Sequence, residues 1–256
     1  EIDGRDWSSD VCSSDLHVFH LAAKNCISDC QLDPVETADI NVRGTTNVFE
    51  AARRGGVEKV IYAESSALYE GSPQFPTPED DPRPESFYAL SKYASMLFAE
   101  GYARYYGVKS TALRYFNVYG PRQDYRRSIP PVFSAFIIAL LRGERPVIYG
   151  TGEKRRDFVY VDDVNDFHLR CITDERTTGT VFNLGSGTNN SINEIYAIIA
   201  RLVGSDVTPE YRDNLPGEAE VTLADITRAT SLGWAPKTSL EQGLGASVEY
   251  IRKNVL

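Results

Sequence analysis

The stretch INVRGTTNVFEAARRGGVEKVIYAES, residues 40–65, joins an amphipathic segment to a run of strand-forming residues. Its first part, residues 40–56, predicts a helix that ends at the glycine pair Gly55-Gly56. Its second part, residues 59–65, is rich in aliphatic and aromatic side chains and ends in polar ones, which predicts a strand. A helix that leads directly into a strand is the repeating element of a parallel sheet with crossover helices. We therefore expect an α/β fold.

The same alternation continues on both sides of this stretch. HVFHLA at residues 17–22 and KSTALRYFNVYG at residues 109–120 predict strands, and residues 86–107 predict a long helix closed by Gly107. Parallel sheets of this kind bind ligands at the carboxyl ends of their strands. We therefore predict a sheet domain over residues 17–120 with its binding site at that edge.

Beyond Gly120 the pattern changes to shorter strands and more loop signals. Ser191 and Glu194 have capping-box spacing, so a helix is predicted to begin at Ser191. We expect Asp162 or Asp163 to cap another helix. The other predicted elements are an apolar helix at 132–143, two short strands around a glycine turn at 146–163, a strand within 179–187 and a C-terminal helix at 240–254. Together they predict a smaller α/β lobe over residues 121–256 that interleaves with the sheet domain.

The composition is that of an ordinary globular protein. The chain has 256 residues, 42% of them hydrophobic and 25% charged, and its formal net charge is 27 − 36 = −9. This acidic balance argues against a nucleic-acid partner. No apolar run approaches the length of about 18 residues that a membrane span needs. The four cysteines form no metal-binding pattern, so we expect free thiols in a reducing cytoplasm and no bound metal.

Tyr88 and Lys92 form a Y-x-x-x-K pattern within the long predicted helix. Residues four apart lie on the same helix face, and an ammonium beside a phenol lowers the pKa of the phenol. Tyr88 is therefore a candidate proton acceptor. The same pattern also arises by chance on solvated helix faces. Ser65 and Ser66 end the preceding strand at the expected ligand edge, where a hydroxyl either holds a substrate oxygen or caps the next turn.

Seven segments of the chain resemble, in order, the extended short-chain dehydrogenase/reductase family. Within that family they are similar to the nucleotide-sugar epimerases and dehydratases. The segments span residues 17 to about 245 and read VFHLAA, NVRGTTNVFEAARRGGVEKVIYAESSALY, FYALSKYASMLFAE, LRYFNVYGPRQ, VIYGTGEKRRDFVYVDDV, VFNLGSG and LGWAPKTSLEQGL. The resemblance implies an NAD-dependent enzyme with a UDP-sugar substrate and without nucleic-acid or membrane partners.

The resemblance also implies a role for each matching residue. Ser65, Tyr88 and Lys92 match the catalytic set, in which Tyr88 takes a hydroxyl proton, Lys92 binds the nicotinamide ribose and Ser65 holds the sugar oxygen. The implied NAD-binding positions are Leu21, Ala22, Ala23, Asn41, Tyr88, Lys92, Phe116 and Val118. The implied substrate-binding positions are Ser65, Ser66, Asn117, Val147, Tyr149, Arg156, Glu218 and Thr222, with Val147 and Tyr149 at the uracil and with Asn117 and Arg156 at the diphosphate. A buried strand is the other interpretation of residues 146–150.

The residues after the catalytic serine separate two kinds of chemistry within this family. A 4,6-dehydratase needs an additional acid and base there, because it also eliminates water across C5 and C6 of the sugar. Ala67 and Leu68 follow Ser65 and Ser66, so no carboxylate is available at those positions. We therefore expect epimerisation at C4 through a 4-keto intermediate, with UDP-glucose and UDP-galactose as substrates. The alternative is another nucleotide-sugar enzyme of the same superfamily, namely a dehydratase, a decarboxylase or a reductase.

Three more positions refine the comparison with the family. Glu64 stands where a small residue is usual, and Glu70 stands where a glycine is usual. Thr222 matches a position that decides the tolerance of related 4-epimerases for an N-acetyl group. Its small side chain predicts that N-acetylated UDP-sugars also fit. The family further implies a homodimer.

The tract DWSSDVCSSDL at residues 6–16 fits no element of this fold. Read back into codons, it matches a translated short-read sequencing adapter, so we expect residues 1–16 to be non-native; a Ser/Asp-rich linker is the alternative. The family begins with a strand, a G-x-x-G-x-x-G turn and a helix, and no such pattern precedes residue 17. We therefore expect an incomplete Rossmann-type parallel sheet without its first strands and glycine-rich loop, and a chain that is inactive in this form.

Overall fold

A computed structural model describes residues 16–126, 130–214 and 219–256. Contacts divide these residues into two compact units. Unit 1 holds the described residues through Leu68 together with Pro84–Leu113 and Arg170–Val181. Unit 2 holds the described residues of Tyr69–Arg83, Arg114–Leu169 and Phe182–Leu256. Each unit is thus assembled from segments that are distant in the sequence.

The strands within the described ranges confirm a parallel sheet. They are β1 (His17–His20), β2 (Lys59–Ser65), β3 (Ser110–Tyr115), β4 (Val118–Tyr119), β5 (Val147–Tyr149), β6 (Arg155–Arg156), β7 (Val159–Tyr160), β8 (Val181–Leu184), β9 (Asn190–Ser191) and β10 (Glu210–Arg212). Four of them form one parallel sheet in the order β1-β2-β3-β8. In its β1-β2 pair, Val18 lies opposite Val60 and Phe19 opposite Ile61. The predicted α/β fold class is therefore confirmed.

Helices alternate with these strands along the chain. They are α1 (Ile27–Leu32), α2 (Pro34–Thr37), a π-helical turn (Ala38–Arg43), α3 (Gly44–Arg54), α4 (Phe87–Tyr106), α5 (Val132–Leu141), α6 (Val161–Thr173), α7 (Ile192–Val203), α8 (Thr227–Ser231) and α9 (Leu240–Asn254). Short 3-10 turns lie at Ser66–Tyr69 and Glu175–Thr177. Across the described ranges, none of the helices has the length and apolarity required to span a membrane.

The helix predicted before β2 begins earlier than its sequence pattern indicates. α2, the π-helical turn and α3 follow one another without a break from Pro34 to Arg54. Asp33 explains the early start, because its carboxylate accepts the backbone N–H of Glu36 (2.9 Å) and Pro34 takes the first helical position. The helix ends directly before Gly55, as the glycine pair predicts.

α4 has the boundaries that its flanking residues predict. The Ser86 hydroxyl accepts the backbone N–H of Ala89 (3.1 Å) and caps the start of the helix. Gly107 closes the helix with a φ of 69°, a left-handed conformation that glycine adopts without steric cost. These two ends place Tyr88 and Lys92 in the first two turns of α4.

One apolar cluster holds the helices of unit 1 against its sheet. Phe49 of α3 and Ala99 of α4 pack with Val60 and Tyr62 of β2. The rings of Phe49 and Tyr62 meet edge to face with their centroids 5.5 Å apart. Alternate residues of β2 therefore face the two helices.

Unit 2 has its own apolar cluster, in which α5, α7 and α9 meet. Ile137, Ile195 and Leu244, one from each helix, are completely buried there. The predicted capping box at the start of α7 is confirmed. The Ser191 hydroxyl accepts the N–H of Glu194 (3.1 Å), and the Glu194 carboxylate accepts the N–H of Ser191 (2.9 Å).

Two predictions for unit 2 are wrong in detail. α6 begins at Val161, so Asp162 and Asp163 lie inside its first turn and not at its N-cap. Acidic side chains are still favourable in that turn because the helix dipole is positive there. Residues 146–163 contain three short strands, β5, β6 and β7, where the pattern predicts two. The third strand forms because β7 pairs in parallel with β4, a partner that a local pattern cannot reveal.

Candidate active site

Ser65 is the last residue of β2, at the carboxyl end of a strand of the parallel sheet. Its hydroxyl oxygen accepts the backbone N–H of Ala67 (3.2 Å), so Ser65 does cap the turn that follows. A serine hydroxyl has one donor and two lone pairs, and this bond uses a single lone pair. Ser65 therefore retains the capacity to donate to a sugar oxygen, and both predicted roles are compatible.

Tyr88 and Lys92 lie one turn apart at the start of α4, and their side chains are buried, with exposures of 8% and 5%. A solvated helix face does not explain this pair. The Lys92 ammonium donates to the backbone carbonyl of Ala63 (2.8 Å), which fixes α4 to the end of β2. The structure therefore brings Lys92 to the end of the strand that carries Ser65, with Tyr88 one helical turn away.

The electrostatics of this end of unit 1 centre on Lys92. Burial lowers the pKa of Lys92 to about 8, although the Glu64 carboxylate acts in the opposite direction. Glu64 directly precedes Ser65 in β2 and is buried. His20 ends the neighbouring β1, and its pKa is lowered by burial and then by the charge of Lys92. At neutral pH the site therefore combines a charged lysine with a neutral histidine, whose ring is hydrogen-bonded to the Thr45 hydroxyl (2.9 Å).

Asn41 lies in the π-helical turn and connects it to two other segments. Its side-chain amide donates to the Lys24 carbonyl (3.0 Å) and to the Ser91 hydroxyl (2.8 Å), while its side-chain oxygen accepts the Lys24 N–H (2.8 Å). Its backbone carbonyl accepts the Ser95 hydroxyl (2.9 Å). These bonds fix the segment after β1 against the helix that carries Lys92. The contact between Asn41 and the cofactor stays a prediction.

Leu21, Ala22 and Ala23 follow β1 directly, at the carboxyl end of that strand. Leu21 is 53% exposed and Ala22 is also exposed, whereas Ala23 is half-buried. An exposed leucine at this edge offers apolar surface to a ligand, and the small alanine side chains allow close approach to the backbone. The position and exposure of these three residues fit their predicted place beside the cofactor.

In unit 2, Asn117 and Thr222 are in contact although 105 residues separate them. The Asn117 amide donates to the Thr222 hydroxyl (3.2 Å) and to the Asp157 carbonyl (2.7 Å). The backbone N–H of Asp157 donates to the same hydroxyl (3.1 Å). Two predicted substrate-binding residues therefore belong to one hydrogen-bonded cluster around Asp157.

The Asp157 carboxylate is completely buried and joins separate segments of unit 2. It accepts the N–H and the hydroxyl of Ser186 (2.6 and 2.8 Å) and the N–H groups of Gly187 (3.2 Å) and Ala224 (3.0 Å). Burial raises the pKa of Asp157, and these donors act against that rise. Gly185 provides the space, because a Cβ there would lie 2.7 Å from the carboxylate. Asp157 is absent from the residues predicted by sequence; the signal for it was an acidic residue at the start of the apolar run DFVYV.

Arg156 precedes Asp157 and is half-buried. Its guanidinium donates to the backbone carbonyls of Arg155 (3.1 Å) and Glu220 (3.4 Å). A guanidinium carries five donors in a planar fork that matches phosphate oxygens. Arg156 is therefore the sequence neighbour of Asp157, which bonds to Asn117 and Thr222. Its guanidinium suits the predicted contact with the diphosphate.

The predicted uracil-site residues lie on β5. Ile148 is buried in the core of unit 2, whereas Val147 and Tyr149 are half-buried. Successive residues of a strand point to opposite faces, so Val147 and Tyr149 share the face that Ile148 does not occupy. The buried-strand interpretation therefore holds for Ile148, and the ligand interpretation of its two neighbours stays a prediction.

The remaining predicted site residues differ in how deeply they are buried. Phe116 is 1% exposed and stacks on Tyr69, with ring centroids 6.0 Å apart. Val118 begins β4 and is half-buried, and Ser66 is half-buried in the turn after β2. Glu218 lies outside the described residues. Cofactor and substrate contacts of these residues stay predictions.

The fold of the chain is that of a known enzyme family. The family described as "NAD dependent epimerase/dehydratase family" matches residues 5–185. The chain belongs to this family, so it is an enzyme by family and NAD is its cofactor. The family resemblance predicted from the seven sequence segments is therefore confirmed.

Two relatives and one solved structure that the chain resembles are named as UDP-glucose 4-epimerases. The chain is 35% identical over 257 residues to a putative UDP-glucose 4-epimerase of Methanocaldococcus jannaschii, across 99% of this chain and 83% of the relative. It is 37% identical over 238 residues to the UDP-glucose 4-epimerase of Mycolicibacterium smegmatis, across 92% and 75%. A crystal structure of the UDP-glucose 4-epimerase of Thermotoga maritima with UDP-glucose superposes with a TM-score of 0.90 at 38% identity, covering 94% of this chain and 78% of that one.

Proposed function

We propose that this protein epimerises a UDP-sugar at C4 through a 4-keto intermediate. The observation that carries the proposal is the buried pair Tyr88 and Lys92, with the Lys92 ammonium bonded to the end of β2, where Ser65 lies. A phenol one turn from a charged amine is a proton acceptor that works near neutral pH. The similarity to UDP-glucose 4-epimerases supports the choice of substrate.

Each candidate catalytic residue has one task in this proposal. Tyr88 accepts the proton of the C4 hydroxyl during oxidation and returns a proton to that oxygen during reduction. The Lys92 ammonium favours the phenolate form of Tyr88, because a nearby positive charge stabilises the negative one. Ser65 donates a hydrogen bond to the C4 oxygen and orients it.

When bound, NAD would supply the hydride acceptor and, once reduced, the hydride donor for C4 of the sugar. The residues that would hold NAD are Leu21, Ala22, Ala23, Asn41, Tyr88, Lys92, Phe116 and Val118. The unit 1 residues fit such a ligand, because an exposed apolar edge follows β1 and the Lys92 ammonium at the end of β2 is a donor for ribose hydroxyls.

The nucleotide part of the substrate is assigned to unit 2. Arg156 would pair with the diphosphate together with Asn117, and Val147 and Tyr149 would contact the uracil. Thr222 would adjoin the sugar and leave room for an N-acetyl group. Ser66 and Glu218 are the other substrate-binding candidates.

Dehydration is the second activity that the family allows, but the residues of the turn after Ser65 argue against it. Ala67 and the completely buried Leu68 carry no ionisable group, so the turn offers no acid for the elimination of water. Glu64 is a carboxylate, but it precedes Ser65 and acts on Lys92. The residues at the end of β2 therefore support redox chemistry at C4 alone.

The test is a product assay on the full gene product with NAD and four substrates: UDP-glucose, UDP-galactose and their N-acetylated counterparts. We expect each sugar to give a mixture with its C4 epimer. Tyr88→Phe should lower kcat by about 10²-fold or more, whereas Tyr93→Phe on the same helix should retain activity. Free 4-keto sugar as the main product, or no C4 epimer from any substrate, contradicts the proposal; refusal of both acetylated sugars contradicts the role of Thr222 alone.

We further propose that the enzyme is a homodimer, as its family resemblance implies, and that it works in the cytoplasm, which the free cysteines Cys26, Cys30 and Cys171 favour. Unit 1 supports this assembly, because α4 exposes the apolar side chains of Leu90, Leu97 and Phe98. Apolar side chains that cluster on an exposed face are typical of protein–protein interfaces.

A further inference from the structure

Glu64 is a buried carboxylate with no role in the proposed mechanism, and its exposure is 2%. It follows Val60 and Tyr62 at the spacing of two residues that places side chains on one face of a strand. Val60 and Tyr62 pack with residues of α3 and α4, so Glu64 continues that face towards the helix that carries Lys92. A buried charge in a row of apolar residues needs an opposite charge beside it.

Lys92 provides that opposite charge. Its ammonium donates to the carbonyl of Ala63 (2.8 Å), the residue directly before Glu64. Burial lowers the pKa of Lys92 to about 8, and the Glu64 carboxylate raises it against that effect. Without the carboxylate, burial would act unopposed, and Lys92 would lose its proton at a lower pH.

Two other titratable groups lie near Lys92. His20 lies at the end of β1, and burial lowers its pKa. The positive charge of Lys92 lowers the pKa of His20 further. Tyr88 lies one turn earlier in α4. A neutral imidazole carries no negative charge, and Tyr88 bears one only in the phenolate form that it takes in the proposed reaction, so Glu64 supplies the carboxylate counter-charge for Lys92.

We propose that Glu64 is a positioning residue for Lys92: its buried carboxylate keeps the ammonium charged and held at the end of β2 through neutral pH. The inference rests on the proposed role of Lys92 beside Tyr88. A small residue, which the family resemblance makes usual at this position, has no such effect. Glu64 therefore extends the pH range over which the lysine of this enzyme stays charged.

The direct test is an NMR titration of Lys92 in the full gene product labelled with ¹³Cε-lysine, with the resonance assigned by its loss in Lys92→Met. Glu64→Gln keeps the volume and removes the charge, so the titration midpoint should fall by about one pH unit or more. Glu100→Gln, on the exposed side of the same helix, should leave the midpoint unchanged. An unchanged or raised midpoint in Glu64→Gln overturns the proposal.

The wild-type protein gives the same answer if Glu64→Gln does not fold. With glutamate ¹³Cδ labelling, the carboxyl resonance of Glu64 should shift at the pH where Lys92 titrates, and a resonance that is insensitive there overturns the proposal. In activity assays, Glu64→Gln should move the alkaline fall in kcat/KM to lower pH, and Glu64→Asp should restore it. Absence of epimerase activity in the wild type would instead contradict the proposed function, which the NMR midpoint does not test.

Discussion

Lys92 links the strand and the helix on which the proposed chemistry of unit 1 depends. Its ammonium bonds to β2 through Ala63, and its helix carries Tyr88. Asn41 holds the same helix through the hydroxyl of Ser91. A substitution at any of these positions should therefore affect catalysis, because it changes the charge or the position of the Lys92 ammonium.

The lowered pKa of Lys92 predicts how activity depends on pH. The folded-state pKa of about 8 lies below the ordinary value of 10.5, so the ammonium is present below about pH 8 and is lost as the pH rises through that value. If the ammonium is required, kcat/KM should be level from neutral pH to about 8 and then fall about tenfold per pH unit. Steady-state rates with UDP-glucose across this range are the measurement, and a level profile far above pH 8 would contradict the role of Lys92.

Asp157 predicts a large effect on stability from a single side chain. Asp157→Ala removes the acceptor of four hydrogen bonds in a buried place, so the free energy of unfolding should fall by about 3 kcal/mol or more. Asp166→Ala is the matched control, because this carboxylate is 46% exposed and pairs with Lys237 (3.3 Å) on the surface. Urea unfolding should separate the two variants clearly; equal effects would mean that the Asp157 cluster does not stabilise unit 2.

At the scale of elements, both ends of α4 and the start of α7 were predicted well because nearby residues set them. Ser86 and Gly107 bound α4, and Ser191 with Glu194 begins α7, and each of these signals is local. Strand partners were not predictable in this way, because β7 pairs with β4 and β10 pairs with β5 across long stretches of chain. The same difference between local signals and distant contacts applies to the candidate site residues. The Tyr88–Lys92 spacing is local, whereas the Asp157 cluster depends on contacts between distant segments.

Two glycines of α9 predict opposite effects of the same substitution. A Cβ at Gly245 would meet no atom of the described residues within 4 Å, so Gly245→Ala should stabilise the helix by about 0.5–1 kcal/mol. At Gly243 a Cβ would lie 2.4 Å from the Tyr119 hydroxyl and 2.7 Å from the ring of Tyr160, so Gly243→Ala should destabilise the protein. Thermal unfolding of the two variants checks both signs, and a stabilised Gly243→Ala would contradict the described packing of α9.

At the scale of the whole molecule, each unit has its own apolar core and its own set of candidate functional residues. Unit 1 holds the proton-transfer residues at the end of β2, and unit 2 holds the cluster of Asn117, Thr222 and Asp157. This division predicts that substitutions in one unit change different kinetic parameters from those in the other. Variants of Tyr88 should lower kcat, whereas variants of Asn117 should mainly raise KM for the UDP-sugar.

The exposed face of α4 predicts the assembly of the protein. Leu90, Leu97 and Phe98 are 44%, 49% and 48% exposed, and Leu90 and Leu97 are one heptad apart. Leu97→Asp should therefore convert the expected homodimer to a monomer. Leu169→Asp, at a leucine of α6 with 63% exposure, is the control and should leave the dimer intact. Light scattering after gel filtration measures the mass, and a monomeric wild type would contradict the homodimer.

The most direct test of the central claim follows the hydrogen at C4 of the sugar. UDP-glucose that carries deuterium at C4 is incubated with the full gene product and NAD, and the UDP-galactose formed is analysed by NMR. Because the proposed mechanism removes this hydrogen and returns it to the same carbon, the deuterium should remain at C4 with no loss to water. Deuterium that is lost to solvent or transferred to another carbon, or a failure to form UDP-galactose, would contradict the proposed mechanism.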